Sequence, residues 1–307
     1  MKGRLLEGIV TAAITPFAQK GTIDREAVKT FCDFQIAKGC HGLFAVGSTG
    51  EFPLMTIEER KQTAEVYVEA VDHRVPFAVH VGSTRIEEAV ELTRHASELG
   101  VDGVMAVPPY YYPFDDDCLF EYFTTIAHVD PELPFYVYNF PASAKNDVTP
   151  KLIKRLHEAC PNIVGVKDTS QNYLRFVDYI DILGKDFYNL MGSDAMVLAA
   201  LVMGGKGAVS ATATSFPELM VKIYDNYQAG DLVQAQKLQL LASRLRIVFN
   251  KPPFLAPRKL ALQMRGFDFP FVRQSLRAMT KQEIDTFKSE IAKLEEEFTF
   301  ELTSGIL

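Results

Sequence analysis

The sequence NIVGVKDTSQN (residues 162–172) runs through an apolar, β-branched segment and then reaches a lysine, Lys167. A continuous apolar run of this kind is typical of a strand in a parallel sheet that is buried on both faces. Strand periodicity places Gly165, Lys167 and Thr169 on one face, where Gly165 is expected to leave space for a ligand. Burial disfavours a charged ammonium group. Lys167 therefore reaches solvent, pairs with Asp168, or is buried because its chemistry needs a neutral amine.

Seven further segments of the same character occur along the chain, separated by stretches with helical periodicity. These seven lie at 8–15, 42–49, 76–83, 103–109, 134–140, 187–193 and 207–213. With the run at 163–169 they make eight. Strand starts recur about every 20–35 residues, which is the repeat of a strand–helix unit. Eight such units predict an α/β fold of the (β/α)8 TIM-barrel class. A doubly wound open sheet is the alternative, but no GxGxxG motif follows the first segment.

Capping patterns mark where several helices begin. The residues at 56–59 and at 280–283 form capping boxes, in which a threonine is followed three residues later by a glutamate. Thr149 before Pro150 combines an N-cap with a first-turn proline. These patterns predict helices after the second strand, between the fifth and sixth strands, and close to the end of the chain.

The chain from Asn226 onward has helical stretches and no convincing strand pattern. Its last capping box opens an amphipathic helix that extends to about Glu297. We therefore predict a catalytic barrel at residues 1–225 and a C-terminal helical extension at residues 226–307, packed on the barrel.

The composition limits the possible partners. The 307 residues are 48% hydrophobic and 23% charged and have a net charge of −7, which argues against a nucleic-acid or anionic-membrane partner. No apolar run reaches the ~18 residues that a membrane span needs. The histidines show no metal-binding spacing, so no metal is expected. Cys32, Cys40, Cys118 and Cys160 show no CxxC pairing and the chain shows no signal-peptide pattern, so we expect free thiols in a reducing cytoplasm.

The active site of a TIM barrel lies at the C-terminal ends of its strands. Lys167 and Tyr138 end consecutive strands, so the phenol is expected to stand beside the amine and to relay protons for a carbinolamine, unless it serves only as a packed aromatic. A neutral lysine in this place is the nucleophile that a Schiff base requires. The GSTG segment (47–50), which includes Ser48 and Thr49, offers hydroxyl and backbone N–H groups to an anion.

Four motifs at the predicted barrel mouth carry a family resemblance: GSTGE (47–51), YYYP (110–113), YNFP (138–141) and GVKDT (165–169). Their order and spacing resemble the dihydrodipicolinate synthase/N-acetylneuraminate lyase superfamily of class I pyruvate-dependent aldolases. The resemblance covers essentially the whole chain, including the helical tail. It implies a covalent lysine imine in place of a cofactor, pyruvate and an aldehyde as small-molecule partners, and a homotetramer made of two tight dimers.

The resemblance also implies a role for individual residues. Lys167 would form the imine with the keto carbon of pyruvate or another 2-keto acid, and Tyr138 would move the proton. Ser48 and Thr49 would bind the substrate carboxylate. Tyr111 resembles the family tyrosine that completes the relay in the site of a neighbouring subunit. The expected catalytic set is therefore Lys167, Tyr138, Tyr111 and Thr49.

Further residues match positions that contact the substrate in this superfamily. Gly192 and Val209 match positions that line the pyruvate pocket. Thr169 and Asp194 are candidates for binding hydroxyl groups of the rest of the substrate. Asp194 is followed by Ala195, whereas sialic-acid lyases typically have Asp-Glu here, so half of the pair that binds their sugar is missing.

Two other departures from family patterns bear on the substrate. Ser143 stands where dihydrodipicolinate synthases typically carry an arginine for the carboxylate of the aldehyde, and serine cannot make a bidentate charged contact. Phe114 follows YYYP where bispecific relatives keep an arginine for phosphate, which favours a non-phosphorylated substrate. The combination looks most like 2-keto-3-deoxygluconate-type aldolases, which split a 2-keto-3-deoxy sugar acid into pyruvate and an aldehyde.

Several alternatives remain open at this point. Dihydrodipicolinate synthase activity, N-acetylneuraminate lyase activity, and a dehydratase or hydratase-aldolase reaction all use the same imine. A non-catalytic sensor of 2-keto acids would need only the carboxylate-binding loop. A phosphate-binding isomerase would need a glycine-rich loop after strands seven and eight, and GAVSATATSF (207–216) matches that poorly.

Overall fold

Eight parallel strands form the centre of the molecule. The computed structural model describes residues 1–19, 21–303 and 305. The strands are β1 (Gly8–Ala12), β2 (Gly42–Ala45), β3 (Phe77–His80), β4 (Gly103–Ala106), β5 (Phe135–Asn139), β6 (Ile163–Asp168), β7 (Tyr188–Met191) and β8 (Gly207–Ser210). Each strand pairs with the next along the chain, and β8 pairs with β1 to close the barrel. The predicted (β/α)8 TIM barrel is confirmed, and each predicted segment contains one strand.

Helices follow the strands and cover the outside of the barrel. They are α1 (Arg25–Ala37), α2 (Ile57–Val71), α3 (Ile86–Glu98), α4 (Asp116–Ala127), α5 (Pro141–Ala144), α6 (Pro150–Ala159), α7 (Tyr173–Leu183), α8 (Val197–Val202), α9 (Pro217–Gln228), α10 (Leu232–Phe249), α11 (Ala256–Met264) and α12 (Lys281–Phe298). Short 3₁₀ turns occupy Phe52–Leu54 and Asp194–Met196. None of the helices in the described ranges is both long enough and apolar enough to cross a membrane.

The predicted helix starts are confirmed by their capping hydrogen bonds. Thr56 accepts a hydrogen bond from the backbone N–H of Glu59 at 3.2 Å and donates its own backbone N–H to the Glu59 carboxylate at 2.8 Å. Thr280 makes the same reciprocal pair at the start of α12, and Thr149 caps α6. Each such cap contributes about 0.5–2 kcal/mol to helix stability. The cap of α2 also fixes the exit of the 47–51 loop.

The C-terminal helices pack on one side of the barrel. One apolar cluster joins Ile9 of β1 with Leu241 of α10 and Ile291 of α12. The predicted boundary between residues 225 and 226 lies inside α9, so the extension continues directly from the last barrel helix. The final helix ends at Phe298, close to the predicted end. Division of the chain into two domains remains a prediction.

The space beside Gly165 is filled by protein. A Cβ on Gly165 would lie 2.6 Å from Cδ1 of Tyr136 and 2.5 Å from the carbonyl oxygen of Tyr188. Tyr136 is fully buried, and its hydroxyl accepts a hydrogen bond from the backbone N–H of Leu6 at 2.8 Å. The expectation that Gly165 leaves room for a ligand is therefore wrong. The glycine admits a neighbouring tyrosine ring, which fills the barrel two residues before Lys167.

Candidate active site

A cavity of about 300 Å³ opens at the C-terminal ends of the strands. Residues at or just beyond the ends of β2, β5, β6, β7 and β8 form its walls, and helices α10 and α11 contribute the rest. Every site residue predicted from the sequence lines it except Tyr111: Ser48, Thr49, Tyr138, Lys167, Thr169, Gly192, Asp194 and Val209. The cavity has the size of a small-molecule site.

Lys167 is buried in this cavity with only 4% of its surface exposed. It is the direct neighbour of Tyr138 in the β5–β6 ladder. Its Nζ lies 3.7 Å from the ring centroid of Tyr138 and 4.8 Å from that of Phe44. Among the described residues, none hydrogen-bonds to this Nζ or forms a salt bridge with it. The lysine therefore does not reach solvent and has no anionic partner.

Asp168 is occupied by other partners. Its Oδ2 accepts hydrogen bonds from the side-chain amide of Asn139 and from the hydroxyl of Tyr179, each at 3.0 Å. Its Oδ1 accepts from the backbone N–H of Ser170 at 2.9 Å. Burial, with the negative charge of Asp168 adding to it, holds the pKa of Tyr179 well above its usual range, so its hydroxyl remains a donor. These bonds fix the end of β6 and exclude an ion pair between Asp168 and Lys167.

A fully buried histidine, His80, lies beside the Tyr138 ring and does not line the cavity. The His80 ring lies 6.2 Å from the Tyr138 ring, measured between centroids. Burial lowers the pKa of His80 well below its usual value, and the charges of Arg60 and Lys167 add to that shift. The two ring nitrogens each lie 3.3 Å from an N–H group, one of Arg60 and one of Val107. The lowered pKa makes His80 a weak base.

The loop at 47–50 approaches the barrel closely. A Cβ on Gly47 would lie 2.6 Å from the Phe44 ring, and one on Gly50 would lie 3.2 Å from the backbone of Val46. The hydroxyl of Thr15 donates to the carbonyl oxygen of Gly50 at 2.7 Å. These contacts hold the hydroxyl groups of the loop, which are half-buried, at the edge of the cavity.

A buried ion pair anchors the same loop, and sequence reasoning missed it. Glu51 has a left-handed backbone with φ 66° and accepts a hydrogen bond from Nζ of Lys259 at 2.7 Å. The two side chains are 0% and 1% exposed. Lys259 Nζ also donates to the carbonyl oxygens of Thr15 and Phe271. Burial lowers the pKa of Lys259, and the Glu51 carboxylate opposes that shift. The C-terminal extension thus holds the predicted carboxylate-binding loop in place.

Gly192 lies against Thr169 and leaves no room for a side chain. A Cβ there would lie 2.0 Å from Oγ1 of Thr169 and 2.7 Å from the carbonyl oxygen of Asp168. The Thr169 Oγ1 is buried and has no hydrogen-bond partner among the described residues. A buried hydroxyl without a partner is costly, and Thr169 lies in the wall of the cavity.

Asp194 presents a second unpaired atom to the same cavity. Its Oδ2 accepts hydrogen bonds from the backbone N–H and the hydroxyl of Thr212, at 2.9 and 2.7 Å. Its Oδ1 is buried without a partner in the part of the chain that the structure describes. Thr212 therefore orients the carboxylate, and one oxygen is left to accept a hydrogen bond from a ligand.

Tyr111 lies outside the cavity and is 78% exposed. It has a φ of 87°, a left-handed backbone that is unusual for an aromatic residue, and it packs edge-to-face on Tyr112. Asn146 braces the loop by donating to the carbonyl oxygens of Pro109 and Tyr112 at 2.7 and 2.8 Å. The loop therefore presents Tyr111 outward, away from the cavity of its own chain.

A second, mostly apolar cavity of about 410 Å³ adjoins the first. The two share Ser48, Phe140, Phe254 and Leu255 in their walls. Ser143, which stands in the position of the synthase arginine, lines the second cavity and not the first.

Besides Ser193, which follows Gly192 after β7, four polar residues of the first cavity were not predicted from the sequence: Gln171, Arg246, Asn250 and Arg258. Gln171 follows β6 with a left-handed φ of 61°, and the other three lie on or beside α10 and α11. The rule that active-site residues follow barrel strands does not reach helices outside the barrel. No motif in the sequence marks these positions.

Comparison with known proteins agrees with this geometry. The model of the dihydrodipicolinate synthetase family matches residues 5–294. The chain is 36% identical to a 4-hydroxy-tetrahydrodipicolinate synthase of Brucella abortus, over 92% of this chain and 97% of the relative. It is 37% identical to the probable 2-dehydro-3-deoxy-D-pentonate aldolase YjhH of Escherichia coli, over 84% and 87%.

Among solved structures, the E. coli prophage protein YagE, determined in complex with pyruvate, superposes with a TM-score of 0.91 at 30% identity, over 95% of this chain and 99% of YagE. The fold, the arrangement of the strand-end residues and the similarity along nearly the whole chain lead to one conclusion. The chain belongs to the dihydrodipicolinate synthetase family, and it is a carbon–carbon lyase of the pyruvate-dependent class I type, which works through a covalent lysine imine without an external cofactor.

Proposed function

We propose that this enzyme cleaves a 2-keto-3-deoxy sugar acid into pyruvate and an aldehyde, or runs that reaction in reverse, through an imine on Lys167. One observation carries the proposal. The Lys167 amine is buried without an anionic partner, against the ring of Tyr138, in a cavity that also holds two unpaired polar atoms. These atoms, on Thr169 and Asp194, suit the hydroxyl groups of a sugar acid.

In this mechanism the neutral amine of Lys167 attacks the keto carbon, and the carbinolamine loses water to give an iminium ion. As the C3–C4 bond breaks, its electron pair moves toward the iminium and the C4 hydroxyl loses its proton, so the aldehyde leaves and an enamine remains. Protonation at C3 and addition of water then release pyruvate and restore the amine. Each transfer needs a positioned acid–base group, and Tyr138 fills this role beside the amine.

The carboxylate of the substrate binds at the loop 47–50 in this proposal. Ser48 and Thr49 donate hydrogen bonds from their hydroxyl groups, and backbone N–H groups of a glycine-rich turn add further donors. Gly192 and Val209 form the wall against the three-carbon keto acid. A side chain at position 192 would displace Thr169, so this wall serves both the keto acid and the hydroxyl-binding group.

A second candidate is the condensation of pyruvate with aspartate semialdehyde. Several relatives carry the name 4-hydroxy-tetrahydrodipicolinate synthase, which favours this reaction. Ser143 argues against this reaction, because an uncharged serine cannot replace the arginine that binds the carboxylate of aspartate semialdehyde in the synthases. Charged hydrogen bonds contribute ~1.5–3 kcal/mol each. A dehydratase that uses the same imine would release water from the sugar acid and no pyruvate.

Cleavage of 2-keto-3-deoxygluconate is therefore expected to be faster, as kcat/KM, than condensation of pyruvate with aspartate semialdehyde. Both rates are measured on the purified protein, the first by pyruvate release and the second by formation of the cyclic product. Ser143→Arg should narrow the difference by improving the condensation. Efficient condensation by the unaltered chain, with no cleavage of any sugar acid, would show the substrate assignment to be wrong.

We also propose that the chain assembles as a homotetramer, or at least as a tight dimer, in which Tyr111 serves the site of a partner. Its exposure and outward-facing loop support this placement. Tyr111→Phe is expected to lower turnover by about 10²-fold, the low end of an acid–base contribution. The matched control is Tyr112→Phe, the exposed neighbour, which should retain its activity.

Mixing two impaired variants tests whether Tyr111 acts across subunits. A dimer of one Tyr111→Phe chain and one Lys167→Ala chain contains a site with both an intact Lys167 and an intact Tyr111 from its partner. Activity should therefore rise above that of either variant after subunits are exchanged. No recovery in verified mixed dimers, or a fully active monomer by light scattering at assay concentration, would contradict the proposal.

A further inference from the structure

Two arginines of the C-terminal extension line the active-site cavity, and neither has a carboxylate partner among the described residues. Arg246 on α10 donates from Nη2 to the side-chain oxygen of Gln171 at 2.7 Å. Arg258 on α11 is 7% exposed. Its Nη1 reaches the carbonyl oxygen of Phe249 at 3.4 Å, a long contact, and its buried Nε has no partner in the described chain.

Two other buried cations of the described chain are paired with carboxylates, whereas Lys167 and Arg60 are not, and Arg60 lies outside this cavity. Lys259 bonds to Glu51, and Arg265 bonds to the Glu218 carboxylate through both Nη atoms. Burying a guanidinium without an anion is unfavourable, so the absence of a carboxylate beside Arg258 needs an explanation. An anionic group of the substrate, which would pair with Arg258 in the complex, is such an explanation.

The charge of the cavity also favours an anionic group on the substrate. Two arginines, Arg246 and Arg258, line it against one anionic side chain, Asp194. The iminium that forms on Lys167 in the proposed mechanism adds a third positive charge, which gives a formal charge of +2 in that state. Burial lowers the pKa of Arg258, the carboxylate of Asp194 opposes that shift, and the charge of Arg246 adds to it. The keto-acid carboxylate of a substrate offsets only one of the two surplus positive charges.

The positions of these groups separate the two ends of a substrate. Strands β2 and β6 lie opposite each other in a closed barrel of eight strands in chain order. The carboxylate-binding loop 47–50 follows β2, whereas Gln171, the partner of Arg246, follows β6. A substrate that places its keto-acid carboxylate at the first side directs its other end toward the second.

We propose that Arg246 and Arg258 form a subsite for an anionic group, a carboxylate or a phosphate, at the distal end of the aldehyde half of the substrate. Gln171 holds the Arg246 guanidinium in place through its side-chain oxygen. The subsite rests on the proposed function, because it takes Lys167 as the imine-forming residue and the loop 47–50 as the keto-acid end.

The test compares kcat/KM for three probes: 2-keto-3-deoxygluconate, its 6-phosphate, and 2-keto-3-deoxyglucarate, whose distal end is a carboxylate. The wild-type chain should prefer at least one anionic probe to the uncharged one. Arg246→Gln should lower that preference by about 10–100-fold, because this ratio of kcat/KM corresponds to the free energy of one charged hydrogen bond. The change should appear chiefly in KM. The matched control is Arg244→Gln, which removes the same charge from an exposed site on α10 that does not line the cavity.

If no sugar acid is cleaved, the proposed function is overturned but the subsite is not. A binding measurement then tests the subsite by itself. Calorimetry on the full-length protein saturated with pyruvate should show glycerate or glycerol 3-phosphate binding more tightly than glycerol. This preference should fall in Arg246→Gln and persist in Arg258→Lys, which keeps the buried charge. A preference that is absent in the wild type, or that is unchanged in Arg246→Gln, overturns the subsite.

Discussion

The Lys167→Ala variant is expected to lose all measurable turnover and all pyruvate-dependent trapping by borohydride. Borohydride fixes an imine as a stable amine, and alanine has no amine with which to form one. In the wild-type protein, pyruvate with borohydride should add one reduced pyruvate per chain. Intact-protein mass measures the amount, and peptide mapping should locate the adduct on Lys167.

A second buried lysine, Lys259, serves as a comparison for the trapping experiment. Lys259 is as inaccessible as Lys167, but its Nζ is bound to Glu51 and to two carbonyl oxygens, and it does not line the cavity. Lys206 precedes the first residue of β8, at the N-terminal ends of the strands and away from the cavity. Borohydride should therefore trap pyruvate on Lys206→Ala as it does on the wild type. An adduct on Lys206 or Lys259 would leave the barrel intact and overturn the mechanism. Full turnover by Lys167→Ala would do the same.

Loss of activity in Lys167→Ala should not result from unfolding. The amine has no hydrogen bond or ion pair among the described residues, so its removal breaks no polar contact. Truncation of its apolar stem removes some packing against the Tyr138 and Phe44 rings. Thermal unfolding of the variant should therefore remain cooperative and close to that of the wild type, which is measured by circular dichroism.

The sequence predicts the barrel well because each of its strands is a short apolar run and several of the helices between them have a recognisable start. The capping boxes that start at Thr56 and Thr280 are local features, set by residues three apart, and both are present. The pairing of Tyr138 with Lys167 is also predictable, because consecutive strands of a barrel are neighbours and both residues end their strands. Local pattern and a general rule of topology suffice for these features.

Other features depend on contacts that sequence patterns do not encode. Glu51 and Lys259 are 208 residues apart, and each looks like an ordinary surface charge in its own segment. Gly165 indicates that space is needed, but only the structure shows that Tyr136 fills it. Arg246 and Arg258 reach the cavity because the helices of the extension fold back over the strand ends. The substrate-facing side of the site is therefore the part that the sequence predicts least.

Neighbouring aromatic rings hold the Tyr138 ring in place. Its ring stacks on Phe140 at 5.9 Å with an interplanar angle of 14°, and it lies edge-to-face with Phe44 at 6.1 Å. Among the described residues, none forms a hydrogen bond with its hydroxyl. Aromatic packing thus fixes the ring, and the hydroxyl without a partner in the described chain is what the proposed proton relay requires.

Tyr138→Phe is therefore expected to lower turnover by about 10²–10⁴-fold, the usual contribution of a positioned acid–base group. Phenylalanine keeps the packing against Phe140 and Phe44 and removes only the hydroxyl. Lys167 is unchanged, so borohydride should still trap pyruvate on it, though more slowly. Single-turnover kinetics with borohydride measures imine formation, and steady-state pyruvate release measures the whole cycle.

Tyr136→Phe is the matched control, since Tyr136 is two residues earlier on β5 and loses the same hydroxyl. That hydroxyl accepts a hydrogen bond from the backbone of Leu6 and lies away from the cavity. Its removal leaves the buried Leu6 N–H without a partner, so it should lower the free energy of unfolding by about 1–3 kcal/mol and leave turnover nearly unchanged. Tyr138→Phe should show the opposite pattern, with stability preserved and turnover lost. If Tyr138→Phe kept wild-type turnover, the phenol would be a packing residue, and the proton transfers would need another group.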